Sequence, residues 1–238
     1  MAKKAEEKIK PEDLGVHVNL MTDIGFNKIF DNKEVMFSFL NKILEKEGGV
    51  TDFQYGNPER PKYMIEGVVG IYELFCINGK GERIIVEIQV IPQVYFRNRI
   101  TLYTKELFQE RIIMGKYRKY PLYSINILDF CISENKEKQK YISHSQLVDS
   151  ANKNKACGNM LLIYIELPHF QKELHELNDL LEQWIFVFKN LHKLDSLPEE
   201  LRNEVFEALF EDAKIEKLSS DELTKYKNNL LAIEVVDN

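Results

Sequence analysis

The stretch GERIIVEIQV, residues 81–90, has the composition of a buried β-strand but carries two polar side chains near its centre. Successive side chains of a strand point to opposite faces of the sheet. One face therefore holds only aliphatic residues (Ile84, Val86, Ile88 and Val90). The other face holds Ile85, Glu87 and Gln89, and it faces either water or a functional site.

A second strand pattern runs from about Gly67 to Ile77, and the loop NGKG (78–81) joins it to the first. Two strand-like runs separated by a short loop containing glycine predict a β-hairpin. With a three-residue loop, Glu73 falls directly opposite Glu87. The Cβ atoms of directly opposed residues lie about 4.5–5.5 Å apart, so the two carboxylates are expected to be neighbours.

Two carboxylates this close repel each other, which costs stability unless a cation neutralises them. Mg²⁺ is bound by one or two carboxylates and keeps water molecules for substrate phosphate oxygens. Glu73 and Glu87 are therefore candidate ligands of Mg²⁺ or Mn²⁺, and Gln89 lies on the same face to orient a water or a phosphate oxygen. Spacing alone leaves a second interpretation open, in which Glu87 and Gln89 cover the wet face of a half-exposed hairpin.

The remaining patterns predict an α/β protein. Val35, Phe39 and Ile43 recur at helical spacing, Gly48 ends that helix, and a further helix is expected from about Tyr95 to Met114. Two more strands are predicted around the polar segment 133–158, which is interpreted as a loop (LYSINILDF, 122–130, and MLLIYIEL, 160–167). Three helices follow (residues 170–192, a helix capped by Ser196, and a last one from Ser220). The order is helix, three strands, helix, strands, and then a helical C-terminal extension.

The bulk properties exclude several classes of protein. No apolar run approaches the roughly 18 residues of a membrane span, and the charged start MAKKAEEKIKPED lacks the apolar core of a signal peptide. Cys76, Cys131 and Cys157 are odd in number and form no CxxC pattern. These observations predict a reduced, cytoplasmic protein with buried thiols and no membrane partner.

The net charge of −6 argues against strong nucleic-acid binding, but charge is unevenly distributed. From Arg97 to Lys119 there are seven basic and two acidic residues. This segment could face phosphates, although such runs are also common on ordinary solvated surfaces.

Four motifs occur in a recognisable order (MTDIGFNKIF, 21–30; IYELFCINGKGERIIVEIQV, 71–90; YFRNRITLYTKELFQERIIMGKYRKYPLYSINILDF, 95–130; and IELPHFQKELHELNDLLEQWIFVF, 165–188). Through these four motifs, the chain resembles the PD-(D/E)XK nuclease family transposases, also called the recombination-promoting nuclease group. The resemblance covers about residues 20–193. The resemblance implies a restriction-endonuclease-like core of a helix, a three-strand meander, a helix and further strands.

The resemblance also implies a catalytic site for metal-dependent DNA cleavage at Glu73, Glu87 and Gln89, with Mg²⁺ or Mn²⁺ as cofactor. Glu73 stands in YELFC where family members usually carry Asp. Gln89 replaces the Lys that is usual in the superfamily, as is common in this subgroup.

Further residues match family positions. Arg99 and Tyr103 match an R-x-x-x-Y motif, which implies DNA contacts together with Lys105 and Arg111 of the basic segment. The alternative is that Tyr103 packs in the core and Arg99 pairs with an acidic neighbour. Asp23 matches a motif aspartate that joins the acidic cluster, unless it caps a helix or lies in a plain turn.

The sequence thus predicts three regions: a flexible tail (1–19), a nuclease-like domain (20–193) and a helical extension (194–238). The predicted function is an endonuclease that hydrolyses DNA phosphodiester bonds with low sequence specificity, associated with transposition or recombination. One alternative is a catalytically inactive nuclease-like module that binds DNA. Another is a protein-interaction module whose C-terminal helices form a homo-oligomer.

Overall fold

A computed structural model of the chain describes eight stretches of residues (9–10, 13–55, 64–65, 68–69, 74–90, 121–132, 140–146 and 160–234). The chain divides into two compact units. We call them the helical unit, formed by Met1–Val50 and Leu167–Asn238, and the sheet unit, formed by Thr51–Glu166.

The described residues of the sheet unit form eight strands (β1 Phe53–Tyr55, β2 Met64–Ile65, β3 Val68–Val69, β4 Leu74–Asn78, β5 Arg83–Gln89, β6 Leu122–Leu128, β7 Ile142–Ser145 and β8 Met160–Glu166). Six of them make one mixed sheet in the order β1-β4-β5-β6-β8-β7, and β2 and β3 pair separately. β1, β4 and β5 are antiparallel neighbours, as predicted for the meander. The predicted α/β fold class is therefore confirmed.

The centre of the sheet is parallel, because β5 pairs with β6 and β6 with β8 in the same direction. All seven residues of β6 are buried, as in strands of parallel sheets that are covered on both faces. Parallel neighbours need a crossover connection. The segment between β5 and β6, where a helix is predicted from Tyr95 to Met114, lies outside the described residues.

The interpretation of segment 133–158 as a loop is wrong for residues 142–145, which form β7. β7 is an edge strand that pairs antiparallel with β8. Its sequence, ISHS, is short and polar and is half-buried or exposed. Charged or polar residues are common on short edge strands because they discourage pairing with further strands. A strand of this composition lacks the apolar alternation from which strands are predicted.

The described residues of the helical unit form five α-helices (α1 Asp23–Phe30, α2 Lys33–Ile43, α3 Leu180–Asn190, α4 Glu204–Asp212 and α5 Ser220–Glu234). Short 3₁₀ turns connect or extend them (Glu45–Glu47, Leu167–His169, Leu174–Glu176, Leu191–Lys193, Glu199–Leu201 and Ile215–Lys217). The N-terminal and C-terminal helices pack together, α5 on α1 and α4 on α2. The proposed domain boundaries at residues 20 and 194 stay a prediction.

Two predicted helix starts are wrong. The helix expected over 170–192 begins at Leu180, because the Asp179 carboxylate accepts a hydrogen bond from the Glu182 N–H at 2.9 Å and caps it. The helix expected to be capped by Ser196 begins at Glu204, where the Asn203 side chain accepts from Phe206 N–H at 2.9 Å. In both cases a cap further along the chain stops the helix from extending backwards.

Aromatic rings fill the core of the helical unit. Trp184 of α3 is fully buried, as the sequence predicts, and its ring centroid lies 5.4 Å from that of Phe39 and 5.0 Å from that of Phe206. Phe30 and Phe188 complete the cluster. These contacts join α1, α2, α3 and α4, and aromatic pairs at such separations contribute about 0.5–1.5 kcal/mol each beyond their area burial.

The expectation that the thiols are buried holds for one of the two cysteines that the structure describes. Cys76 of β4 is fully buried, and burial raises the pKa of its thiol to about 12. Cys131 is exposed, because it follows the end of β6 rather than lying within a strand. Cys157 lies outside the described residues.

Candidate metal centre

Glu87 lies at the centre of the sheet and is buried. Its side chain is 1% exposed, and Ile85 on the same face of β5 is equally buried. Gln89, at the end of the strand, is half-buried. The interpretation that this face of the hairpin faces water is therefore wrong at Glu87. Burial of a carboxylate is costly unless its charge is compensated, so the position is unusual for a purely structural residue.

The hairpin of β4 and β5 has the register that the loop length predicts. Leu74 pairs with Val86 and Ile77 pairs with Arg83, and Asn78 N–H donates to the Glu82 carbonyl at 3.0 Å. This is the register required for Glu73 to oppose Glu87. Glu73 itself lies outside the described residues, so its place beside Glu87 stays a prediction.

Asn126 of β6 is a polar residue of this region that the sequence patterns did not predict. It pairs in register with Glu87 and is fully buried. Ser124, two residues earlier on the same face, is also buried. The signal in the sequence is the alternation of Ser124 and Asn126 in LYSINIL, which places two polar residues on one face of an otherwise apolar strand.

The Asn126 amide is held by hydrogen bonds within the sheet. Its Nδ2 donates to the Ile163 carbonyl of β8 at 3.1 Å, and it lies 3.2 Å from both the carbonyl and the hydroxyl oxygen of Ser124. Ser124 Oγ lies 3.4 Å from Asn126 Oδ1. These hydrogen bonds fix the orientation of the Asn126 side chain beside Glu87.

Apolar clusters flank Glu87 and Asn126 along the same face of the sheet. One contains the buried pair Ile85 and Leu122, with Phe75 and Met160 packed against it. The other contains Leu128 and Tyr164 (with Phe130, Ile132 and Leu162 packed against them). A polar row between apolar clusters lies in a region of low effective dielectric, where electrostatic interactions are stronger than in water.

A buried carboxylate with amide oxygens nearby suits a hard divalent cation. Glu87, Asn126 and Gln89 offer carboxylate and amide oxygens, and Mg²⁺ prefers oxygen ligands. Mn²⁺ accepts the same donors. The chemistry of this donor set therefore fits the expected cofactor.

The roles of the remaining predicted site residues stay predictions. Asp23 is exposed and is the first residue of α1 in the helical unit. It does not cap that helix, because Thr22 Oγ1 does so by accepting from Gly25 N–H at 3.0 Å. The four residues proposed to bind DNA all lie outside the described residues (Arg99, Tyr103, Lys105 and Arg111).

Local geometry explains the glycine of the first motif. An added Cβ at Gly25 would lie 2.0 Å from the backbone oxygen of Asn19, a distance that no side chain can occupy. Gly25 is therefore required where the chain turns into α1. The motif MTDIGF thus has a structural explanation at Thr22 and Gly25, and a role of Asp23 in the acidic cluster stays a prediction.

A mixed sheet with an antiparallel meander, parallel central strands and a buried carboxylate at its centre is consistent with the restriction-endonuclease-like class of nucleases. The model of the PD-(D/E)XK nuclease family transposases matches residues 20–234 of the 238-residue chain. The chain belongs to this family. Comparison with curated proteins and with solved structures found no match. Among the described residues, no helix has the length and apolar character needed to cross a membrane.

Proposed function

We propose that the protein is a metal-dependent DNA endonuclease that hydrolyses phosphodiester bonds with low sequence preference and acts in transposition or recombination. The observation that carries the proposal is the buried Glu87 carboxylate, which begins the E-x-Q of β5 in a chain of this nuclease family. DNA is the proposed substrate, the cytoplasm the proposed compartment and a homo-oligomer a proposed assembly.

Glu73 and Glu87 are the proposed ligands of Mg²⁺ or Mn²⁺, and Gln89 is proposed to orient the attacking water. A divalent cation bound there would stabilise phosphodiester transition-state charge and lower the pKa of a bound water. Glutamine has no titratable proton and serves only as a hydrogen-bonding group.

The DNA backbone is proposed to be held by the basic segment. Arg99 is suited to bidentate contact with a phosphate, and Tyr103, Lys105 and Arg111 are proposed to contact DNA as well. These contacts rest on the sequence motif and on the local excess of positive charge.

The test is nicking of supercoiled plasmid by purified protein in Mg²⁺ or Mn²⁺. Glu87→Gln keeps the shape of the side chain and removes its charge, and we expect it to lower the rate at least 100-fold. Glu182→Gln is a matched control, because Glu182 is a buried carboxylate of α3 that interacts with Lys172 and Asn178. It should cleave at the wild-type rate. Cleavage by Glu87→Gln at the wild-type rate would contradict the proposal.

The alternative function is an inactive nuclease-like module that binds DNA or a protein partner. It is favoured by Glu73, which is one methylene longer than the usual Asp, and Mg²⁺ sites tolerate little change in geometry. This alternative predicts DNA binding that weakens with salt, without cleavage in any divalent cation. If the protein self-associates and does not bind DNA even at low salt, the protein-interaction module is indicated instead.

A further inference from the structure

Asn126 stands beside Glu87 in the sheet. The two residues pair in register on adjacent parallel strands, and adjacent strands lie about 4.8 Å apart. Both side chains are on the same face, and neither is exposed to solvent beyond 1%. A group bound by Glu87 on this face would therefore lie within reach of Asn126, directly or through one water.

The orientation of the Asn126 amide follows from its partners. The carbonyl oxygens of Ile163 and Ser124 can only accept hydrogen bonds, so the group that lies 3.1 and 3.2 Å from them must be the amide nitrogen. Both hydrogens of that nitrogen are thus directed to β8 and to Ser124. The remaining polar atom of the Asn126 side chain is Oδ1, which is an acceptor.

Oδ1 is only partly engaged. It accepts one long hydrogen bond from the Ser124 hydroxyl at 3.4 Å. An amide oxygen has two lone pairs and can therefore bind a further group. An acceptor oxygen cannot donate a hydrogen bond to a neighbouring buried carboxylate, whereas a cation between the two would be attracted by both. Amide oxygens are also ordinary ligands of hard divalent cations.

We propose that Asn126 Oδ1 is a further oxygen of the cation site, and that it binds the cation directly or through a water. The inference rests on the proposed function, because it assigns a new residue to the same site. The competing explanation is that Asn126 only joins β6 to β8 through the Ile163 carbonyl. The two explanations differ in cation affinity, which can be measured without DNA and without turnover.

The test is Mn²⁺ binding to the full chain, followed by the loss of the free-ion electron paramagnetic resonance signal. Asn126→Leu keeps the branching at Cγ and removes Oδ1, and we expect at least tenfold weaker binding, since supporting groups of metal sites contribute about 10–100-fold to affinity. Asn126→Asp keeps an oxygen at the position of Oδ1 but loses the Nδ2 hydrogen bonds to the Ser124 and Ile163 carbonyls. A ligand role predicts that this variant binds Mn²⁺ at least as tightly as the wild type.

Asn78→Ala is the matched control for lost hydrogen bonds. Asn78 is buried in the same sheet and bonds to Lys80 and Glu82 at the hairpin turn, away from Glu87. This variant should lose thermal stability but keep wild-type Mn²⁺ affinity. Circular dichroism confirms that each variant is folded before its affinity is compared.

Unchanged Mn²⁺ affinity in Asn126→Leu would overturn the inference. If that variant does not fold, Asn126→Asp decides, because weaker binding despite the retained oxygen contradicts a ligand role. Weaker binding in Glu87→Gln with wild-type affinity in Asn126→Leu would overturn only this inference and leave the proposed function intact. Absence of Mn²⁺ binding by the wild type would overturn both.

Discussion

At the residue scale, the decisive feature is a buried carboxylate among apolar side chains. Glu87 lies between the cluster of Ile85 and Leu122 and the cluster of Leu128 and Tyr164. In such surroundings a compensating charge interacts strongly with the carboxylate. Divalent cation sites are sensitive to the length of their ligand side chains, which makes the proposed ligand Glu73 the most informative position to vary.

We expect Glu73→Ala to lower Mg²⁺-dependent plasmid nicking at least 100-fold, because it removes one of the two proposed carboxylate ligands. Glu73→Asp restores the residue usual in the family and should cleave at least as fast as the wild type. The measurement is the initial rate of nicking at fixed Mg²⁺. Wild-type rates in Glu73→Ala would exclude Glu73 as a ligand.

Among the contacts between elements, a buried hydroxyl joins helix α5 to the segment before α1. Tyr226 is 1% exposed, and its oxygen accepts a hydrogen bond from the Asn19 N–H at 2.8 Å. Burial raises the pKa of Tyr226, and the Asn19 contact opposes that shift. The neutral hydroxyl is therefore the form that joins α5 to the segment before α1.

We expect Tyr226→Phe to lower the free energy of unfolding by about 1–3 kcal/mol, because the Asn19 N–H would stay buried without an acceptor. The measurement is urea unfolding at neutral pH. Thr224→Ala, on the exposed side of the same helix, is the control and should change stability by no more than about 0.5 kcal/mol. Equal stabilities of Tyr226→Phe and the wild type would show that the bond contributes nothing.

At the scale of the whole molecule, the stability of the helical unit is expected to depend on pH through His192. Burial lowers the pKa of His192 to about 4, and the charge of Lys193 adds to the shift. The unfolded chain takes up the proton near pH 6.5, whereas the folded chain does so only near pH 4. The contribution of the neutral imidazole to stability is therefore present above pH 6.5 and is lost as the pH falls from 6.5 to 4.

We expect the wild type to lose up to about 1.4 kcal/mol of stability per pH unit over this range from His192 alone. Trp184 is the one tryptophan of the chain and is buried in the helical unit, so its fluorescence reports unfolding there. Urea unfolding at pH 7, 6 and 5 measures the slope. His192→Gln should show a shallower slope, and identical slopes in the two proteins would contradict the assignment.

Several features could be predicted from local sequence because their causes are local. Strand parity placed Glu87 and Gln89 on one face of β5, and a short loop was enough to predict the register of Leu74 with Val86. The apolar stretch around Trp184 predicted its burial. Helix starts were predicted less well, because several residues near Asp179 and Asn203 are chemically able to cap and only one of them does.

Local sequence is therefore sufficient to predict the alternation of β5, its hairpin with β4 and the α/β class of the chain. By contrast, the position of Asn126 beside Glu87 and the pairing of ISHS as the edge strand β7 depend on how the strands pack in the folded sheet. Long connections join β5 to β6 and β7 to β8. The relative register of these strands therefore depends on packing across the whole sheet and not on any local turn.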